Sequence, residues 1–360
     1  SSCCRLSLPV AGCVAGCLFL LSLPVAGCLF LLQVVSSCCR LCCRLSLPVA
    51  GCLFLLQVVM QVVSSCCRLS LPVAGCDSGF GHALAKRLSD EGLQVFAGVL
   101  DVNGGGAQQL RERGSEKLKV LQLDVTDRPC DAFVVSAGLW GLVNNAGVLQ
   151  CPTDAELHPI TWYSRCMDVN FLSAVRMCQV FLPLLRRSRG RIVNVTSMAG
   201  EVPLPMFSSY GASKAAISMF SRVLRMEMCV WGVRVTLIQP GGFRTSSEDV
   251  SQFTDEVLAA VSPEAREDYG KMYISSLPGF LSKMSQQSSE DLSPVVEDMH
   301  HALLSVHPRP LYTPGQMAWL LPLLHRCCPA AVSEFLIRRL FVPSACRPTG
   351  LTTSQRRCPV

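Results

Sequence analysis

Between Gly75 and Gly81 the chain reads Gly-Cys-Asp-Ser-Gly-Phe-Gly. An apolar segment precedes it, and residues 82–92 follow, with Ala83, Leu84, Ala85 and Leu88 at helical spacing. Glycines at such a junction let the backbone turn sharply and approach a ligand closely, while the next helix points unpaired N–H groups at it. A second apolar strand, 93–100, ends on Asp101. Further strand signals lie at 117–123, 138–143, 190–195 and 233–239, separated by helical stretches. Strands alternating with helices make a parallel sheet covered on both faces. The pattern predicts an α/β fold with a doubly wound parallel sheet, and the glycine turn predicts a bound dinucleotide pyrophosphate. Asp101 lies 20 residues after Gly81, where a carboxylate binds ribose hydroxyls and repels the extra phosphate of NADP. NAD is therefore the expected cofactor. A glycine turn alone is a weak sign, and a tight surface turn would look the same.

The segment before this turn is of another kind. LSLPVAGC begins at Leu6, Leu21, Leu45 and Leu69, SSCCR at Ser1, Ser36 and Ser64, and CLFLLQVV at Cys28 and Cys52. Copies this faithful at irregular offsets suit a recent duplication better than a solenoid, whose period is fixed. Residues 1–76 hold 13 of the 22 cysteines and four arginines, with no Lys, Asp, Glu or His. The formal charge of +6 is thus +4 from the head and +2 from the rest, so a basic surface for nucleic acid is not indicated. Residues 6–35 and 45–63 carry no charge, and each run is long enough to span a bilayer. Membrane attachment is the favoured reading, and a repeat that never inserts is the alternative. Cys39 and Cys42 have CxxC spacing without a neighbouring histidine, so no metal site is expected there.

The chemistry-bearing residues come later. Asn144-Asn-Ala-Gly147 follows a strand, Ser197 ends another, Tyr210 comes 13 residues on, and Lys214 is at Tyr+4. On a helix, positions i and i+4 share a face, so phenol and ammonium project together. A nearby ammonium favours the phenolate and draws the tyrosine pKa down from its ordinary ~10. Tyr210 is then a candidate general base for an alcohol proton, with Ser197 holding the oxygen. Singly, each residue reads as an ordinary helix-surface or strand-end residue; jointly, behind a cofactor motif, they point to alcohol oxidation.

These motifs resemble the short-chain dehydrogenase/reductase family from about Val73 to Val342. The likeness rests on Ala74-Gly75…Gly79-Phe-Gly81, on Asn144–Gly147, and on Ser197, Tyr210 and Lys214. It implies a Rossmann fold, with Asn170 as a fourth catalytic residue that holds a water in the proton relay. It also implies cofactor contacts by Gly75, Ser78, Phe80, Gly81, Asp101, Asp124, Val125, Asn144, Ala146, Gly147, Tyr210, Lys214, Pro240, Gly241 and Thr245. Within the family the likeness runs to membrane-bound hydroxysteroid dehydrogenases. One branch shares GCDSGFG, GLWGLVNNAG and RGRIV; another shares NVTSMAG, IQPGGF, EDYGKMYI and YTPG. The second set reaches into the C-terminal region. It implies NAD-dependent oxidation of a steroid 17β-hydroxyl to the ketone, as a homodimer in the endoplasmic reticulum membrane. An 11β-hydroxysteroid or retinol is the alternative substrate, and an inactive membrane protein is the rival of another class.

The expected organisation is a hydrophobic repeat (1–72), a dinucleotide-binding and catalytic core (73–245), substrate-covering helices (246–345) and a tail (346–360). Residues 317–324 are apolar but too short to span, and Leu336, Leu340 and Phe341 near Arg338 and Arg339 suit a membrane surface, core packing or a partner helix. His300 and His301 are expected to be solvated, and the later cysteines to be free buried thiols. Asn194-Val-Thr196 is a formal glycosylation sequon on a strand expected to be buried. Two departures bear on folding. Pro72 falls in what should be a central strand, next to Ala74 where the family has threonine, so only Val73 onward is expected to pair. The link from Asp124 to Asn144 is short, leaving room for no more than a stub of helix in 127–137.

Overall fold

The computed structural model describes residues 70–127, 139–245, 253–341 and 348–351. Residues 1–69 of the repeat, the 127–137 stub beyond Asp127, residues 246–252 and most of the tail lie outside the described residues. Ser70–Leu303 and Arg309–Val360 cluster as one compact unit.

Six strands arise where apolar runs predict them: β1 (Ser70–Ala74), β2 (Gln94–Val99), β3 (Leu118–Gln122), β4 (Gly141–Asn144), β5 (Arg191–Val195) and β6 (Arg234–Ile238). A seventh, β7 (Leu311–Tyr312), is too short to leave a periodic signal. The sheet order is β3-β2-β1-β4-β5-β6-β7, with every pair parallel. The order reverses between β1 and β4, and in open sheets of this kind ligands bind beyond the carboxyl ends at such a point.

The helices are α1 (Gly79–Asp90), α2 (Gly105–Glu112), α3 (Ile160–Met167), α4 (Ser173–Ser188), α5 (Ser208–Met228), α6 (Phe253–Ala260), α7 (Pro263–Tyr269), α8 (Lys271–Gln287), α9 (Ser293–Leu304), α10 (Leu320–Cys327) and α11 (Ala330–Phe341). With the wider π turn at Asp168–Leu172, α3 and α4 run on continuously. This stretch, Ile160–Ser188, is long and apolar enough to cross a membrane. Its Met177, Phe181 and Leu185 are instead buried against Leu142, Ile192 and Val235 of the sheet, so it is a core helix. Burying side chains of that size stabilises the fold by roughly 1.5–3 kcal/mol each.

β1 corrects the expectation drawn from Pro72. The strand pairs with β2 over all five residues, Pro72 included. The Ser70 carbonyl accepts from Trp140 N–H, and that of Ala74 from the Asn145 side chain, so alternate residues, with Pro72 among them, turn toward β4. The missing N–H therefore affects only the β4 side. There the pairs are Ser70↔Leu139 and Val73↔Val143, and the register slips by one residue between them. A bulge on β4 thus absorbs the proline.

Smaller corrections follow. His300 binds Glu91 at 2.7 Å and His301 the Tyr312 hydroxyl at 2.6 Å, so neither is merely solvated. Cys151, Cys166 and Cys178 are buried as expected, but Cys229 and Cys327 are exposed. Asn194 is fully buried in β5, its amide bonded to Ser221, out of reach of glycosylation.

Candidate active site

Gly75, with φ +71, ends β1, and its backbone packs directly on the loop after β4. A Cβ there would sit 2.7 Å from Ala146 Cα. Asn145 completes the junction, donating to the carbonyls of Ala74 at 3.2 Å and Gly75 at 2.9 Å. At Gly81 a Cβ would lie 2.4 Å from the Gly75 carbonyl oxygen and 2.5 Å from Asn145 Nδ2. A Cβ on Gly79 would lie 3.0 Å from Thr245 Cβ, so the turn, the Asn144–Gly147 loop and the segment after β6 close on one another. Gly81→Ala is expected to cost about 1–3 kcal/mol through overpacking and to weaken dinucleotide binding at least tenfold. A melting curve and a cofactor titration check this.

A dinucleotide pyrophosphate fits the surroundings. Ser78 N-caps α1 without a side-chain cap bond, and the first turn holds no acid, so its N–H groups are available to an anion. Asp101 is exposed at the end of β2. Beneath it, Asp77 accepts the N–H groups of Leu100 at 2.9 Å and of Asp101 at 3.2 Å, tying the glycine turn to the ribose position. The Asp124 carboxyl accepts from Thr126 N–H and Oγ, which holds it below the usual carboxylate range. Val125 is buried beside it.

The predicted catalytic residues converge from three elements. Ser197 follows β5, and its hydroxyl accepts from Ala199 N–H at 3.2 Å, capping the short 3-10 turn Met198–Gly200. The next amide, Met198 N–H, donates to the Pro240 carbonyl, which seats this turn beside Gly241. Tyr210 and Lys214 stand one turn apart on α5, with Lys214 Nζ 5.6 Å from the Tyr210 ring centroid. Asn170, 1% exposed, occupies the π turn, a deviation that often marks functional positions. Its carboxamide oxygen accepts Val148 N–H at 2.7 Å, and its amide donates to the Val148 carbonyl at 3.0 Å and to Ser213 Oγ at 2.9 Å. A Cβ on Gly147 would touch both Asn170 Oδ1 and Lys214 Nζ at 3.4 Å, so these three groups share one wall.

Lys214 is the most unusual charge in the site. It is 4% exposed, and Nζ donates to the Val195 carbonyl at 3.1 Å. Burial pulls its pKa from 10.5 down to about 8. An ammonium so placed has donors to spare for ligand hydroxyls.

Two residues diverge from expectation. Asn144 turns away into the sheet, bonded to Asn194 at 2.8 Å, whereas Asn145, which the motif reading passed over, holds the glycine turn. Asp77 was equally unforeseen as the residue that anchors Asp101. Beyond the catalytic turn lies a cavity of ≈ 540 Å³, lined by Met206, Tyr273, Leu277, Phe280 and Ile337 among others, with Asp154, Lys283, Glu334 and Arg338 also in its walls. Met206 lies between the Ser197 turn and α5, so the cavity adjoins the catalytic loop.

A parallel sheet with a glycine turn at its switch point, a Ser-Tyr-Lys set after β5 and an Asn in the π turn before it define a dehydrogenase of the short-chain type. The chain belongs to the short-chain dehydrogenase family, whose model, short chain dehydrogenase, matches residues 71–255. It is an oxidoreductase. It is 44% identical over 289 residues to mouse (Mus musculus) estradiol 17-beta-dehydrogenase 2, covering 77% of this chain and 76% of that protein. With human (Homo sapiens) 11-beta-hydroxysteroid dehydrogenase type 2 the identity is 41% over 292 residues, 78% and 72% of the two chains. The crystal structure of a short-chain dehydrogenase from Streptomyces avermitilis superposes with a TM-score of 0.59 at 23% identity, over 76% of this chain and 97% of that one, a likeness of fold.

Proposed function

We propose that the chain oxidises a steroid 17β-hydroxyl to the ketone with NAD, as a homodimer in the endoplasmic reticulum membrane. The observation that carries this reading is the convergence of Tyr210, Lys214 and Asn170 beside the glycine turn, next to a largely apolar cavity. The 44% identity to an estradiol dehydrogenase supports the substrate class.

Tyr210 takes the hydroxyl proton as general base. Ser197 accepts or donates to the same oxygen and holds it in place. The Lys214 ammonium stabilises negative charge on the Tyr210 oxygen and binds ribose hydroxyls with its spare donors. Asn170 keeps the Val148 loop and α5 in register and would help to hold a water that carries the proton toward solvent. Bound NAD would supply the acceptor for the hydride lost from the carbinol carbon.

The cofactor choice follows from charge. An exposed carboxylate at Asp101, at the end of β2, would accept from the ribose hydroxyls of NAD and repel the 2′-phosphate of NADP. Replacing Asp101 with Ser is expected to reduce the preference for NAD over NADP at least tenfold, read from kcat/KM with each cofactor. Turnover on a panel of 17β-hydroxysteroid, 11β-hydroxysteroid and retinol tests the substrate, and highest kcat/KM on either of the last two overturns the 17β assignment.

A further inference from the structure

We propose that the α10–α11 hairpin is a docking face for an anionic lipid surface. The two helices bury one edge each: Leu321 of α10 and Ile337 of α11 meet Val202 of the catalytic loop, with Leu204 and Phe341 packed around them. Their outer sides are apolar all the same. Trp319 and Leu323, four residues apart, are 58% and 48% exposed. On α11, Val332, Leu336 and Leu340 repeat every four residues and so share one side, beside Phe335, with exposures from 40% to 63%. Glu334 and Arg338 lie on the other side of α11, toward the cavity they help to line.

Scattered exposed apolar residues need no explanation, but a stripe on each helix of one hairpin does. A tryptophan at the rim and arginines at the helix ends are the composition of a helix that lies in a membrane interface. Of the charged side chains between residues 317 and 341, Glu334 and Arg338 face the cavity and Arg326 pairs with Glu201, so Arg339 gives the striped side its positive charge. That sign selects the occupant. The apolar repeat of residues 1–69 carries only arginines, and a second copy of the hairpin would bring the same positive charge, so both are repelled where anionic headgroups are attracted.

The docked face has a consequence that rests on the steroid reading above. Since α11 has the stripe on one side and the cavity on the other, docking brings the cavity alongside the bilayer in which an apolar alcohol dissolves. Glu201, paired with both Arg222 of α5 and Arg326 of α10, ties the hairpin to the catalytic loop.

The test uses the full chain, free of substrate and cofactor, in phosphatidylcholine vesicles with or without phosphatidylserine, each doped with a diazirine phospholipid. After photolysis and digestion, label is expected on peptides within 317–341, several-fold stronger with phosphatidylserine and lowered by high salt. The Phe335→Asp/Leu336→Asp double variant should lose that label while label on residues 1–69 persists. Label confined to residues 1–69 in both vesicle types, or protein–protein cross-links through 330–340 in its place, overturns the proposal. The altered positions are exposed, so an unchanged melting curve is expected; if the variant misfolds, the lipid dependence of the unaltered chain still decides. Labelling is scored without turnover, so it can fail while the proposed reaction stands, and the reverse.

Discussion

Tyr210→Phe should lower kcat by about 10²–10⁴-fold, the span a positioned general base supplies, while dinucleotide affinity and melting temperature stay near those of the unaltered chain. The substitution removes one hydroxyl and keeps the ring that sits 5.6 Å from Lys214 Nζ. It therefore isolates proton transfer better than a change at Ser197 does. The Ser197 hydroxyl also caps the Met198–Gly200 turn, so Ser197→Ala combines a chemical loss with a structural cost of about 1 kcal/mol. Stopped-flow measurement of reduced cofactor at saturating substrate gives kcat, and a fluorescence titration gives the affinity. Full turnover in the Phe variant would remove Tyr210 from the chemistry. A large fall in cofactor affinity would instead assign it to binding.

The alternation of strands and helices, the glycine turn and the Ser-Tyr-Lys spacing were legible in the sequence because each is local. An apolar run, a glycine cluster or a Tyr-to-Lys spacing lies within a few residues of itself. What escaped notice depends on contacts between distant segments. Asn145 matters because its amide reaches Ala74 and Gly75 across some seventy positions. Asp77 matters because the strand end at Leu100 and Asp101 donates to it. Pro72 was misjudged for a related reason. A proline inside a strand reads as a break, yet its effect depends on which neighbour its missing N–H would have faced and on whether that neighbour can bulge. β7 escaped because two residues carry no period. The C-terminal helices were expected to cover substrate. The structure adds that the last of them presents a cavity wall on one side and an apolar stripe on the other.

The same locality explains why the cost of Lys214 could not be read from the Tyr-to-Lys spacing, and that cost leads to an unusual expectation. Lys214→Met should abolish most activity and at the same time make the protein more stable near neutral pH. The ammonium is 4% exposed, and burial depresses its pKa from 10.5 to about 8. At ~1.36 kcal/mol per unit, that difference is a penalty of about 3 kcal/mol on the folded state wherever the lysine is charged. Methionine has similar length and no charge to desolvate. It forfeits the hydrogen bond to Val195, worth about 1 kcal/mol, so the net gain is about 1–2 kcal/mol, or a few degrees in Tm. The pH dependence checks the cause. Between about 8 and 10.5 the unfolded chain still holds the proton that the folded chain has released, so the native protein gains stability as pH rises through that window. Below it, the full penalty is present. The Met variant lacks this titration, so the two stability curves should converge toward the alkaline end, with the variant higher at pH 7. Denaturant melts across the range measure both curves, and a variant less stable than the unaltered chain at pH 7 would refute a buried charge as the source. A gain in stability joined to a loss of turnover would mean that this lysine is kept at the expense of the fold, because Tyr210 and the cofactor ribose need an ammonium there.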